Sequence, residues 1–592
     1  MFIKFESVFL SLAVLICVYS EKIDDPAEGG YTIGSYTVHC AQRKEISPCT
    51  CRQNLYKPVR ISVECQKMKS FEDIINTLRN KFDRSVEVRL SIEFSNLLDL
   101  PQWQFKELHS TIYWIWLRTN EMGGTTLSQK SFEGIDSVTH LVLIDSKINQ
   151  FPGAIFAHMP NVDMFTVERT SIISISPDDF KSLRKLRHLV ILKCNLTYIE
   201  SDTFPPTLKR LILSDNNIST LNRTLRNNTD LEFLLLNYNQ IESIEDQLPD
   251  LELNTKLMWL ELKNNKLSSL PKRFKNLIGL TLLDLQYNQI STLDNILKRM
   301  HQLSQLDLTG NRFKSLSRDE FKECMALTSL NLSLNEISNL NKSLLPLKSV
   351  GTVNLTYNKL REFSIDEITG LTKIEILDLS FNQIKKFVGK IEKDTVLPET
   401  AIINLNLEYN ELEILEGSLA EIKGLTYLNM SHNRLSTIPT GFLDGLQELK
   451  YLDVSHNHLH SLHDIAKATL PSLQNLEAMS NKITELTRES NEGFTAVCFM
   501  HLEFNKIEVL NANFTEKNQC LYQPGVNATL YIYLEGNEVL CRYGSAISEI
   551  ESKNATKIMG KCPSLDKRME YNIQQNHNER APIIVDFNGS TM

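Results

Sequence analysis

Few side chains in this chain have the types and spacing that could do chemistry. Cys194 lies in the stretch LVILKCNLTYI, directly before the glycan-acceptor pattern Asn195-Leu196-Thr197. A lone cysteine there could be a nucleophile, a metal ligand, half of a disulfide or a packed thiol. Cys49-Thr50-Cys51 could open a zinc site, but the one-residue gap and the lack of a matching Cys or His pair argue against it. The stretch SHNHLHSLHD sets out His456, His458, His460 and His463, whose imidazoles could bind zinc or sense pH. No Gly-rich phosphate loop, Gly-x-Ser-x-Gly elbow or His-Glu-x-x-His pair accompanies them. The sequence therefore reads as non-enzymatic, with no catalytic residue, metal or cofactor.

The role of each of these residues depends on the elements that carry it, and those repeat. The frame L-x-x-L-x-L-x-x-N-x-I/L-x-x-L recurs as LKRLILSDNNISTL, LEFLLLNYNQIESI, LMWLELKNNKLSSL, LTLLDLQYNQISTL, LSQLDLTGNRFKSL and LKYLDVSHNHLHSL. Its asparagine falls at Asn120, Asn216, Asn239 and Asn265, and continues in phase to Asn505 and Asn537. Ser95, Ser146, Thr170 and Cys194 hold the same slot in weaker copies. The step is mostly about 24 residues, which gives about nineteen copies. L-x-L is a period-two strand whose leucines point one way and whose middle residue points the other. One copy cannot bury its apolar side alone, so copies stack and share an elongated core. The asparagine turns inward, where its amide can satisfy backbone groups of adjacent turns. A second apolar signal on the far side comes from Phe274-x-x-Leu277 and Phe321-x-x-Cys324-x-x-Leu327.

The frame settles the reactive candidates. Leu186, Leu189 and Ile191 fill the core positions around Cys194, which takes the asparagine slot, so its thiol is expected to be buried and inert. Cys324 takes a core position far along the chain, and a bridge between the two is not expected. In the histidine stretch, Asn457, Leu459 and Leu462 are the inward residues, which leaves the four imidazoles on a solvated turn.

The concave face is read from the residue inside L-x-L. It runs Trp116, Val142, Thr166, Val190, Ile212 and Leu235, with Ile144 and Leu192 on the same side. Apolar groups clustered where water is expected mark a partner site, and Trp116, Val142, Ile144, Val190, Leu192, Ile212 and Leu235 form the candidate patch. Further on, the face turns polar, through Glu261, Asp284, Asp307, Asn331, Asn354, Asp378, Asn406, Asn429, Asp453 and Glu477. Acceptor patterns for N-linked glycans stand at Asn195, Asn217, Asn222, Asn227, Asn331, Asn341, Asn354, Asn429, Asn513, Asn527, Asn554 and Asn588. Glycans at Asn331, Asn354 and Asn429 would crowd the later concave face, which favours the earlier repeats for a large partner.

The ends and the composition bound the rest. Val8–Val18 (VFLSLAVLICV) is an apolar run of signal-peptide length, followed by Val18-Tyr19-Ser20 before Glu21. No later segment has the roughly 20 apolar residues of a membrane span, and no hydrophobic C-terminal tail suits a glycolipid anchor. The chain is thus expected to be secreted and extracellular. Over 592 residues, with 42% hydrophobic and 23% charged, the formal net charge is −9, which gives no electrostatic case for nucleic acid or for an anionic membrane surface. Of eleven cysteines, Cys17 falls in the signal. Cys40, Cys49, Cys51 and Cys65 cluster at one end, and Cys498, Cys520, Cys541 and Cys562 at the other, as disulfides in an oxidising compartment would.

With these motifs the chain resembles the extracellular leucine-rich-repeat family in its long-repeat form, and is similar to secreted invertebrate members of it. The resemblance implies an α/β repeat solenoid, a curved horseshoe with short parallel strands on the concave face. It also implies an N-terminal cysteine cap with Cys40–Cys51 and Cys49–Cys65 bridges, and a C-terminal cap at Asn537–Cys562 that departs from the usual pattern in keeping only Cys541 of a Cys-x-Cys pair. Cys498–Cys520 with Cys541–Cys562 is one of three pairings open to those four residues. The expected organisation is a signal peptide (1–20), a lead segment (21–39), an N-terminal cap (40–85), repeats (86–536), a C-terminal cap (537–562) and a flexible polar tail (563–592). The function this implies is recognition of a protein or glycan partner in innate immunity, adhesion or developmental signalling. A matrix component or a non-catalytic subunit of a secreted complex is the alternative.

Overall fold

The structure, a computed structural model, describes residues 40, 44–54, 57, 59–122, 127–249, 256–390, 400–523, 526–527, 529–542, 544–553 and 556–560. The expected signal peptide, lead segment and tail lie outside the described residues, as do Asn554, Asn588, Cys562 and the Cys541–Cys562 pairing. The chain forms two compact units, residues 1–241 with 246–254 and residues 242–245 with 255–592. Each is a leucine-rich-repeat solenoid, as the phased frame predicts.

In the first unit the L-x-L segments become parallel strands. Arg60–Gln66, Glu87–Glu93, Thr111–Arg118, His140–Ile144, Met164–Glu168, His188–Leu192, Arg210–Ile212 and Phe233–Leu235 each pair with the next, with one register shift, where Tyr113 is the extra residue opposite Val88–Arg89. The strand Thr50–Gln53 runs antiparallel to Arg60–Gln66 and ends this ladder. It is tied down by the disulfides Cys40–Cys51 and Cys49–Cys65. An unpaired strand edge is a template for unwanted association, which such a covered, cross-linked end prevents. In the second unit the ladder runs from Trp259–Glu261 through three-residue strands to Leu530–Tyr533 and Thr556–Met559. Cys498–Cys520 closes a loop near its end.

Period two puts the frame leucines inside. Leu189, Ile191, Leu211, Leu213, Leu234 and Leu236 are all fully buried. The opposite wall of the core is aromatic where Phe71 meets Phe105 at 4.9 Å and Phe105 meets Phe132 at 5.2 Å. Phe274, Leu277, Phe321, Cys324 and Leu327 are likewise buried.

The asparagine ladder supplies the polar half of this core. Asn216 donates from Nδ2 to the carbonyl of Ile191 in the preceding repeat (2.7 Å) and of Leu213 in its own (3.0 Å). Its Oδ1 accepts from the N–H groups of Cys194 and Leu196, both at 3.0 Å. The same pattern recurs at Asn335, Asn382 and Asn457. Each side chain thus satisfies a backbone N–H that stacking would otherwise bury unpaired and ties it to a carbonyl of the preceding repeat. Cys194 fills its slot as expected, with Sγ 3.2 Å from the Leu192 carbonyl and accepting from Thr170 Oγ1 at 3.2 Å. Burial pushes its thiol pKa up, and that of Cys324 up to about 12, which leaves both as thiols rather than reactive thiolates.

Candidate functional site

The candidate recognition face is the side of each ladder that points away from the leucine core. In the first unit its central row is set by register: Trp116 opposite Val142, then Thr166, Val190, Ile212 and Leu235. Ile144 and Leu192 flank Glu168 one step along. These are the residues expected there, but their environment differs from expectation. Val142, Ile144, Val190, Leu192, Ile212 and Leu235 are at most 6% exposed, and Trp116 is half-buried. They pack into two clusters apart from the leucine core. One joins Met164, Val190, Leu192, Ile212 and Leu235 with Phe233; the other joins Tyr113, Trp114, Val142 and Ile144 with Trp116. Strands about 4.8 Å apart bring branched side chains of successive repeats into contact. The apolar residues therefore form a buried floor rather than a display.

What stands on that floor is the preceding row, which the sequence reading did not select. Trp114, His140, Met164, His188, Arg210 and Phe233 succeed one another in register. The Trp114 and His140 rings stack at 4.5 Å with 12° between planes. Arg89 lies 4.2 Å from the Trp114 ring and 5.7 Å from that of Trp116, and Arg210 lies 4.6 Å from Phe233. His140, His188, Arg210 and Phe233 are half-buried, which makes them the accessible part of the face. The signal was available in the frame, as the residue just before the first core leucine of each L-x-L pair. Burial, reinforced by Arg210, holds the His188 pKa down to about 4, so at neutral pH it is a neutral imidazole. Trp114 Nε1, Trp116 Nε1 and Thr166 Oγ1 make no hydrogen bond among the described residues. Such donors cost about 1–3 kcal/mol each when buried unpaired. Beside the strand starts runs a polar cleft of 630 Å³, bordered by Thr139, Asp163, Lys185, Arg187 and Lys209. There Arg187 pairs with Asp163, and Lys209 pairs with Glu232 at 2.9 Å.

In the second unit the central row is acidic and amide-bearing, as expected. Asp284 is hemmed in by Glu261 and Asp307 on neighbouring strands. Burial, with repulsion from Asp307, pushes its pKa up to about 8. Asn331 and Asn429 use their amide nitrogens inside the row, donating to Asp307 at 3.1 Å and Glu408 at 3.2 Å. Asn429 is buried. By contrast Asn195, Asn217, Asn227, Asn341 and Asn513 are exposed, while Asn222 and Asn354 are half-buried. The side chain of Asn527 lies outside the described residues. His458 and His460 are exposed turn residues, and His456 stacks on His432 at 4.1 Å. Among the described residues no three His, Cys, Asp or Glu side chains are placed to share a metal ion, and no helix is long and apolar enough to cross a membrane.

Comparison with known proteins agrees with this geometry. A family model described as leucine rich repeat matches residues 184–241, 255–313, 301–360, 325–384 and 425–483. The repeats and the parallel ladders together define a leucine-rich-repeat solenoid. Among individual proteins, the zebrafish (Danio rerio) transforming growth factor beta activator LRRC33 is 26% identical over 213 residues, covering 31% of this chain and 31% of that protein. The solved structure of the Toll–Spatzle complex from Drosophila matches with a TM-score of 0.57 at 15% identity, covering 88% of this chain and 73% of that one. A leucine-rich-repeat protein of Leptospira interrogans matches with a TM-score of 0.49 at 22% identity, covering 73% of this chain and 97% of that one.

Proposed function

We propose that this is a secreted, extracellular recognition protein that binds a protein or glycan partner through the strand face of its first unit. The partner would contact the accessible row, which the buried apolar floor of Val142, Ile144, Val190, Leu192, Ile212 and Leu235 supports from beneath. The observation that carries this reading is that row: half-exposed His140, His188, Arg210 and Phe233, with half-exposed Trp116 of the central row beside them, over a second apolar cluster outside the core. Aromatic and arginine side chains on a preformed apolar base are the usual anchors of binding surfaces. A signal-like N-terminus, the end disulfides and the named activity of the zebrafish relative support a setting in extracellular signalling, with innate immunity and adhesion as the wider field.

Aspartate at Val190 or Leu235 would bury a charge and damage folding, so the test uses the accessible row. Tagged wild-type protein and a Trp116→Ala/Phe233→Ala variant are recovered from culture medium, checked by circular dichroism, and used to capture partners from native extracellular fluid. The reading expects a discrete partner that the variant loses. Undiminished capture by the folded variant refutes it.

A further inference from the structure

The far end of the second unit presents a different surface. The strands Tyr427–Asn429, Tyr451–Asp453, Asn475–Glu477, Phe499–His501 and Leu530–Tyr533 pair in sequence. Their outward residues form two rows. The first carries parallel rings, with Tyr427 on Tyr451 at 4.6 Å and Phe499 on Tyr531 at 5.7 Å. The second carries Asp453 and Glu477, then His501 stacked on Tyr533 at 4.2 Å. Glu408 and Glu503 border this row. All these side chains are half-buried rather than covered.

The charge on this face is one-sided. None of these strands contains a lysine or arginine. Only His501 faces the carboxylates from within the row, 3.1 Å from Glu503 and 3.8 Å from Glu477. Burial first, then Asp453 and Asp378, raises the Glu408 carboxyl pKa; burial likewise raises Asp453 and Glu477, with Asp453 and Glu503 adding repulsion at Glu477. His456 beside Asp453, and His501 between the glutamates, offset only part of this. An incoming cation would remove that repulsion.

We propose that this face takes a basic segment of a partner protein, an extended stretch whose lysine or arginine side chains lie between the stacked rings and the carboxylates. Each strand contributes one outward residue per row at about 4.8 Å spacing, so the carboxylates are strung out rather than gathered on a point. That suits a run of separate cations, not a single metal ion. Ring faces of Tyr427, Tyr451 and Phe499 add cation–π attraction to ion pairing. The chain already shows the mode in miniature, where Lys557 of the last strand sits 6.0 Å from the Tyr531 ring centre.

The inference rests on the recognition reading only in using the strand face, and it concerns a different unit and a different ligand chemistry. The probe is fluorescein-labelled decalysine, titrated with the full chain and followed by anisotropy at about 150 mM salt. Saturable binding is expected, weakened about tenfold by Asp453→Asn/Glu477→Gln and weakened also by Tyr451→Ala. The charge-matched pair Glu448→Gln/Glu492→Gln, on exposed turn positions, should leave it unchanged. Equal loss with that control pair would show bulk charge alone and overturn the proposal. So would absent saturation, or binding indifferent to Asp453→Asn/Glu477→Gln. Trp116→Ala/Phe233→Ala lies in the other unit and should keep decalysine binding, so failure of one site is read separately from failure of the other.

Discussion

Asn382 is the position at which the physics of the ladder can be tested most directly. Its Oδ1 accepts from the Leu360 N–H at 3.1 Å, and its Nδ2 donates to the Leu355 carbonyl of the preceding repeat at 2.9 Å. Two further contacts, to Leu379 and Ser380, lie within its own turn. In Asn382→Ala the Leu360 N–H loses its partner while staying inside the stack, whereas the Leu355 carbonyl keeps a bond from Asn358 Nδ2 at 3.1 Å. Such an orphan costs about 1–3 kcal/mol, and a water entering the vacated space would recover part of it. The net loss should be about 2 kcal/mol, on the order of thirtyfold in the opening equilibrium. Urea denaturation followed by far-ultraviolet circular dichroism gives the global change, and native-state hydrogen exchange at Leu360 gives the local one. Asn382→Asp is isosteric, yet as a carboxylate it sets an acceptor oxygen against carbonyls where the Nδ2 donor stood, and should cost more than alanine at neutral pH. If alanine costs under about 0.5 kcal/mol and leaves Leu360 exchange unaltered, the ladder does not bear the role assigned to it.

Two further expectations concern the second unit. Asp284 has a folded pKa of about 8, above its unfolded value of 3.8, so the unfolded chain releases this proton first and stability falls as pH rises from 3.8 to 8. Asp284→Asn should therefore raise the unfolding midpoint at pH 8 and change little below pH 3.8; thermal denaturation across pH checks both the sign and the window. Cys498→Ser/Cys520→Ser opens a bridge that spans 22 residues. Loop-closure entropy assigns that bridge about 3 kcal/mol, readable as a lower urea midpoint with an unchanged fold at low temperature.

The repeat frame made most of the fold legible. A leucine pair at period two and an asparagine at a fixed offset specify strand direction, inward set and ladder contact with purely local geometry. Cys194 was placed from the leucines around it, and the structure puts its sulfur in that slot with the thiol bonded to neighbouring carbonyls. The resemblance at the cysteine clusters implied Cys40–Cys51 and Cys49–Cys65, and both are formed.

The environment of the candidate face was not legible in the same way. The sequence placed Val142, Val190, Ile212 and Leu235 on the side away from the core, and the register agrees. It could not show that they would bury one another, because exposure depends on residues a whole repeat away that strand pairing brings within contact. The same holds for the Trp114–His140 stack and for the paired rings of Tyr427 with Tyr451. It holds also for the pKa of Asp284, which is raised by burial first and then by carboxylates one strand to either side. By itself the sequence determined the direction of every strand side chain, since period two is a property of the local backbone. Only the tertiary structure decided which of those side chains remain accessible, since accessibility and charge interaction belong to neighbours that stacking alone supplies.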